Sequence, residues 1–290
     1  MTTLSSRTPL DAVPSTADGL DRERRPTRRH YIMCPPAHFA VRYAINPWMD
    51  LTVPVDVDRA MHQWDSLRQT YLDLGHRVDV MTPDPDLPDM VFAANGALVV
   101  GDRAFGARFT HPERAAESAL HRKHLQQHGI RQIHTARHTN EGEGDFLVIG
   151  DTVLAGTGFR TSREAHTEAA AHLQCEVVSL ELVDPRFYHL DTCLAVLSHT
   201  EIAYYPPAFS ETSRRLLQDR YPDAVIATER DALVLGLNAV SDDRHVVLAR
   251  PATDLAAQLR ARRFHPIPVD LSELVKAGGN VKCCTLEVHR

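Results

Sequence analysis

Beyond residue 28 the chain alternates two kinds of apolar pattern. In one, apolar positions recur at helical spacing; in the other, they form short continuous runs. Val57, Ala60, Met61, Trp64, Leu67, Tyr71 and Leu74 share one helical face, and Gly75 supplies the stop. Pro112 opens a second predicted helix that Gly129 closes. Further helices are predicted over roughly 161–173, 208–219 and 252–263. Asp270 and Glu273 have capping-box spacing before a short helix that ends at Gly278-Gly279.

Between the helices lie paired apolar runs with polar turns. Ala97–Val100 leads to Gly101-Asp102; Phe146–Ile149 leads through Gly150-Asp151 to Thr152-Val153-Leu154. Leu194–Leu197 leads through Ser198-His199 to Ile202-Ala203-Tyr204, and Asn238–Val240 leads through Asp242-Asp243 to Val246–Leu248. The turns recur about every 44–49 residues, and a helical pattern follows each one. A period of that size suggests stacked supersecondary units. A fifth unit, made from the first strand (Tyr31–Met33) and the last (Val281–Val288), would close a ring. Periodicity alone serves an open α/β sheet equally well, but no glycine-rich phosphate loop supports a nucleotide-binding version of one. The pattern therefore predicts one α/β domain over 29–290 behind an N-terminal arm over 1–28. The arm is rich in Ser, Thr, Asp and Arg, without apolar periodicity, and reads as mobile. Its Asp11, Asp18, Asp21 and Glu23 argue against a transit peptide.

Composition narrows the classes. With 43% hydrophobic and 24% charged residues in 290, the chain is ordinary globular protein. A formal charge of -6 gives no electrostatic case for nucleic acid, and no apolar run approaches a membrane span. The five cysteines are odd in number and contain no Cys-x-x-Cys, which fits free thiols in a reducing cytoplasm. The 17 histidines lack a zinc spacing, so neither metal nor cofactor is expected. No Gly-x-Ser-x-Gly elbow points to a serine hydrolase.

Four segments carry candidate chemistry. Gly278-Gly279-Asn280-Val281-Lys282-Cys283-Cys284 puts a thiol at a predicted strand start, with Cys284 facing the other way; a lone buried cysteine is more often inert. On a strand, His189 and Asp191 would project to one side as an acid/base pair, although a surface pair is the simpler reading. Glu141, Glu143 and Asp145, spaced by glycines, could receive a cation, hold a divalent metal, or form a solvated turn. Asn95-Gly96 reads by itself as a turn.

Taken together, these segments resemble the guanidino-group-modifying enzymes, the amidinotransferase or pentein superfamily. His189-Leu190-Asp191-Thr192 is similar to its histidine motif, and Gly278–Cys283 to its nucleophile motif. Gly158-Phe159-Arg160-Thr161-Ser162-Arg163 is similar to a segment that holds the substrate carboxylate. The resemblance implies a five-bladed α/β propeller with Cys283 as nucleophile and His189 as acid/base. It implies that Glu141 and Asp191 grip the guanidinium, that Arg160 and more weakly Arg114 hold the carboxylate, and that Phe92 lines the pocket. The expected partner is a small cationic substrate, with a homo-oligomer possible. Two departures stand out. The common Glu-Gly-Gly-Asp is here Glu-Gly-Glu-Gly-Asp, so Glu143 could replace Glu141, and Asn95 stands where deiminases carry an aspartate.

The implied reaction is covalent: the thiolate attacks the guanidinium carbon while His189 protonates the leaving nitrogen. Asn95 bears on the outcome, because a neutral amide can donate to a ureido oxygen and retain it for a second hydrolysis. Met33–Phe39 and Tyr43–Met49 also resemble the arginine dihydrolase branch. The sequence thus favours arginine dihydrolase, giving ornithine, ammonia and carbon dioxide, over dimethylargininase or arginine deiminase. A non-catalytic binding module, the fold's use in a ribosome-associated translation factor, is disfavoured by the intact Cys283, His189 and Glu141 set.

Overall fold

The computed structural model describes residues 23–289. One motif recurs five times: an antiparallel strand pair, a helix, and a third strand parallel to the second. The first instance uses both ends of the described chain. Strand β1 (His30–Met33) is followed by α1 (Val57–Asp73) and β2 (Arg77–Val80), and β1 pairs antiparallel with the final strand. The second is β3 (Ala97–Val100), β4 (Arg103–Gly106), α2 (Glu117–Gln127) and β5 (Gln132–Thr135). The third is β6 (Phe146–Ile149), β7 (Thr152–Thr157), α3 (Arg163–Leu173) and β8 (Glu176–Glu181). The fourth is β9 (Leu194–Val196), β10 (Ile202–Tyr204), α4 (Glu211–Arg220) and β11 (Val225–Ile226). A short α5 (Glu229–Ala232) leads to the fifth: β12 (Val240–Ser241), β13 (His245–Ala249), α6 (Thr253–Ala261) and β14 (His265–Val269). Helix α7 (Ser272–Val275) and β15 (Leu286–His289) complete the chain, and β15 also pairs parallel with β3. The predicted hairpins and repeat are therefore present.

Local chemistry explains the element ends. Asp56 caps α1 by accepting from the Arg59 amide at 3.0 Å, and Ser162 caps α3. Three expectations change. Pro112 opens a separate 3-10 turn (Pro112–Arg114), and α2 starts only at Glu117, because Arg114 turns inward. The last strand is shorter than 281–288: Asn280–Thr285 form a helical-type turn, with the Cys284 amide donating to the Asn280 carbonyl at 3.3 Å. Asp270 accepts from the Ser272 amide, but Glu273 bonds the Asp56 amide and Lys276 and leaves the capping box open.

Residues 1–22 of the arm lie outside the described residues. Its remainder is docked. The Arg24 guanidinium sits 3.5 Å over the Phe264 ring and forms a forked pair with Glu201, while Arg29 bridges Asp243 and Glu287. Four apolar clusters form the core; the largest spans the last three hairpins and includes Phe187, Tyr204, Leu217, Leu248 and Phe264.

Candidate active site

Each hairpin is entered through a short turn, and the five turns are fastened to one another in sequence. The Ala94 amide donates to the Cys283 carbonyl at 3.1 Å. Gly142, at φ +51°, packs so closely on Ala94 and Ala97 that a Cβ there would lie 2.6 Å from the Ala97 nitrogen. The Leu190 amide donates to Asp145 Oδ1 at 3.0 Å, and Asn238 Nδ2 donates to the Asp191 carbonyl at 3.1 Å. Asn238 Oδ1 accepts from the Asn280 and Cys283 amides at 3.1 and 3.0 Å, which returns the circuit to Cys283. Every predicted site residue lies on or beside these turns, and all are buried.

The nucleophile candidate, Cys283, stands on the helical-type turn and not on a strand. Its thiol donates to Asp191 Oδ2 at 3.2 Å and receives Asn238 Nδ2 at 3.1 Å. Burial, and then the Asp191 carboxylate, push the thiol well above its ordinary value. Burial likewise raises Asp191 to about 7, against the opposing pull of Lys282. Cys284 is fully buried in the apolar cluster behind the turn.

The expected His189–Asp191 pair is not formed. His189 precedes a 3-10 turn (Leu190–Thr192), whose curvature turns the two side chains apart. His189 Nε2 meets Glu141 Oε2 at 2.8 Å, and Nδ1 is buried without a partner among the described residues. Burial would raise Glu141, but the His189 and Arg160 contacts outweigh it and hold this carboxylate well below its usual range.

Arg160, expected to hold the substrate carboxylate, reaches both oxygens of Glu141 from one nitrogen, Nη1, at 2.9 and 3.2 Å. Its other nitrogen donates to the Ile45 carbonyl at 2.7 Å, and its plane lies over Tyr188. Glu143 takes a different course: it bonds Lys282 at 2.5 Å, His289 at 2.9 Å and the Glu287 amide at 2.9 Å, away from Cys283. Asp145 bonds Thr161 and Leu190, so the three carboxylates face three different sets of partners.

Arg114 is also engaged. It forks onto Glu117 at 2.8 Å and donates to Asn95 Oδ1 at 2.8 Å. Since Arg114 can only donate, this bond leaves Asn95 Nδ2, buried and without a partner among the described residues, as the other end of the amide. Phe92 lies against Gly279 and edge-on to Phe39. Ile45, Asn46 and Met49 close over these groups, leaving a cavity of about 10 Å³, roughly the room of one water. The segment is pinned by Tyr43 on Asp89, Asn46 on the Ala277 carbonyl and Trp48 on the Arg186 carbonyl. Sequence reasoning missed that cover, and it missed Asn238 and Tyr188. Asn238 carried one usable signal: it lies in the short stretch leading into a hairpin, as Asn95, Glu141 and His189 do.

The family model described as eukaryotic N,N dimethylarginine dimethylhydrolase matches residues 44–290. The chain belongs to that family. A Mycobacterium tuberculosis protein named N(G),N(G)-dimethylarginine dimethylaminohydrolase is 58% identical over 93% of this chain and 89% of its own length. The bifunctional arginine dihydrolase/ornithine cyclodeaminase AgrE of Nostoc is 38% identical over 90% of this chain, which spans 38% of that longer protein. The solved N-terminal domain of ArgZ, an arginine dihydrolase bound to product, superposes with a TM-score of 0.86 at 37% identity, covering 91% of this chain and 98% of the domain. A dimethylarginine dimethylhydrolase from Pseudomonas aeruginosa, at 21% identity and a TM-score of 0.79, shares the fold. This family member is a cysteine hydrolase of arginine derivatives with a mixed α/β fold matching those pentein structures. The binding-module alternative falls with that finding. The balance between the two sequence-based activities also shifts, since the comparisons favour dimethylargininase at least as well as arginine dihydrolase. Among the described residues no helix is long and apolar enough to cross a membrane.

Proposed function

We propose that the chain hydrolyses Nω-methylated arginine to citrulline and a methylamine. The observation that carries this reading is the 58% identity, across 93% of the chain, to a relative bearing that activity in its name. The site supplies fitting chemistry. Substrate guanidinium takes the place of Arg160 on Glu141, and Arg160 is released toward the substrate carboxylate. Cys283 passes its proton to Asp191 Oδ2, the atom it already bonds, and the sulfur attacks the guanidinium carbon. His189, its Nε2 held by Glu141, protonates the departing amine from Nδ1 and the carbon–nitrogen bond breaks. The neutral imidazole then takes a proton from water, whose oxygen adds to the thiouronium carbon; the carbon–sulfur bond breaks as Asp191 returns its proton to the sulfur, and citrulline leaves with its hydroxyl proton passed to the released amine.

The arrangement of the five units that best suits this site is a five-bladed α/β propeller closed around it. The sequential fastening of the five turns supports that closure. A second reading, arginine dihydrolase, is favoured by one observation: Asn95 presents a donor, which would hold a ureido oxygen for another round.

Incubation with dimethylarginine and, separately, arginine decides between them, with Cys283→Ser as control. Dimethylamine and citrulline from the first, with arginine untouched, are expected. Ornithine, ammonia and carbon dioxide from arginine would replace the lead reading with the second, and turnover by Cys283→Ser would sink the mechanism.

A further inference from the structure

Asn238 touches the sulfur of Cys283, and its amide orientation is settled by its other neighbours. Oδ1 accepts two backbone N–H groups, from Asn280 at 3.1 Å and Cys283 at 3.0 Å. Amide nitrogens only donate, so the oxygen must be at that end. Nδ2 therefore faces the Asp191 carbonyl at 3.1 Å and Cys283 Sγ at 3.1 Å. The side chain is fully buried, and the Lys282 amide donates to the Asn238 carbonyl at 3.3 Å. The contacts to backbone groups could belong to a purely structural residue. The contact to sulfur is different, because it is made to the reacting atom by a donor.

We infer that Asn238 is a catalytic residue of this hydrolase, one that holds the Cys283 turn and supports the thiolate by donating an N–H to its sulfur. The inference rests on the reading of Cys283 as nucleophile. The surroundings show why a donor is needed. Asp191 is the sulfur's other side-chain partner, the Asn280 backbone N–H also donates to it, and Cys284 and Tyr188 lie nearby without bringing positive charge. Lys282 is directed to Glu143 and the Thr285 carbonyl, and His189 is bonded to Glu141. Once the proton has passed to Asp191, the Asn238 amide is the fixed side-chain donor on the sulfur, beside the Asn280 backbone N–H, and a preorganised donor at a developing charge favours the charged form.

The test compares the wild type with Asn238→Asp and Asn238→Ser. The aspartate keeps an acceptor for the two backbone amides and turns an oxygen toward the sulfur; the serine removes the donor without adding charge. Chloroacetamidine alkylation of Cys283 is followed across pH by peptide mass spectrometry, which separates it from the other four cysteines. On the rising limb of the profile, alkylation by the aspartate variant is expected to slow by about tenfold or more, a midpoint shift of about one pH unit. The serine variant shifts the same way by less, and kcat falls in both while KM stays within about threefold. Either variant, shown to be folded by its thermal transition, decides the matter. An unchanged profile and kcat would overturn the role of Asn238 and leave Cys283 as nucleophile. Failure of wild-type Cys283 to label at any pH would instead sink the nucleophile reading.

Discussion

Glu141 and Glu143 are two residues apart in chemically similar surroundings of sequence, yet they do opposite things. The 3-10 turn between them sends Glu141 to His189 and Arg160, and Glu143 to Lys282 and His289. Glu141→Gln removes the charge that orients His189 and receives the guanidinium, so kcat/KM should fall by about 10²–10⁴-fold with little change in folding. Glu143→Gln leaves Lys282 without its partner at a buried site and should cost about 3–5 kcal/mol of stability. Steady-state kinetics and urea titration on both variants check the split. The Glu143 cluster also shapes the pH dependence of stability. Lys282 and His289 hold Glu143 below its ordinary 4.5 despite burial, so its contribution is present above that value and is lost as pH falls through the depressed one. His289 is raised above 6.5 by Glu287 and Glu143 against burial, so its contribution is present below 6.5 and is lost as pH rises through the raised value. His289→Gln should therefore flatten the alkaline decline in the thermal midpoint, and an unaltered slope would refute that.

At the scale of elements, the strand pairs and helices were legible because their signals are local. An apolar run, a Gly-Asp turn and a second run lie within one short stretch, and Asp56 or Ser162 marks a helix start beside the helix itself. The turns that lead into the hairpins were not legible in the same way. Alternation in Tyr188–Asp191 reads as strand, but the segment bends because Asp145 and Asn238 bond its backbone from other units. Gly142 shows how tightly these turns fit. Gly142→Ala would need left-handed backbone for alanine and would press a methyl group on Ala94 and Ala97. A loss of about 1–3 kcal/mol is expected, together with lower kcat as Glu141 is displaced. Stability loss without an effect on kcat would separate this turn from the site.

For the whole molecule, the first unit closes only by joining the two ends of the described chain, β1 with β15. Arg24 and Arg29 reinforce that closure from the arm side through Phe264, Glu201, Asp243 and Glu287. Removing residues 1–22 spares both Arg24 and Arg29 and serves as the control. Removing residues 1–29 deletes contacts worth about 2 kcal/mol together and should lower the midpoint by roughly 5 °C. Differential scanning calorimetry distinguishes the two truncations, and equal midpoints would show the Arg24 and Arg29 contacts to be incidental.

By itself, the sequence determined the repeating unit, the helices and the motifs that name the guanidino-group family, because each of these is written in residues close together along the chain. It also singled out most of the side chains that meet at the candidate site. Only the tertiary structure decided their partners: Glu141 for His189, Asp191 for Cys283, Glu117 for Arg114, and Asn238 behind Cys283. Each of these pairs except Arg114–Glu117 joins different units, and each bond depends on direction as well as distance. A one-dimensional spacing states which groups are available; the packing of the units against one another sets which way each group points.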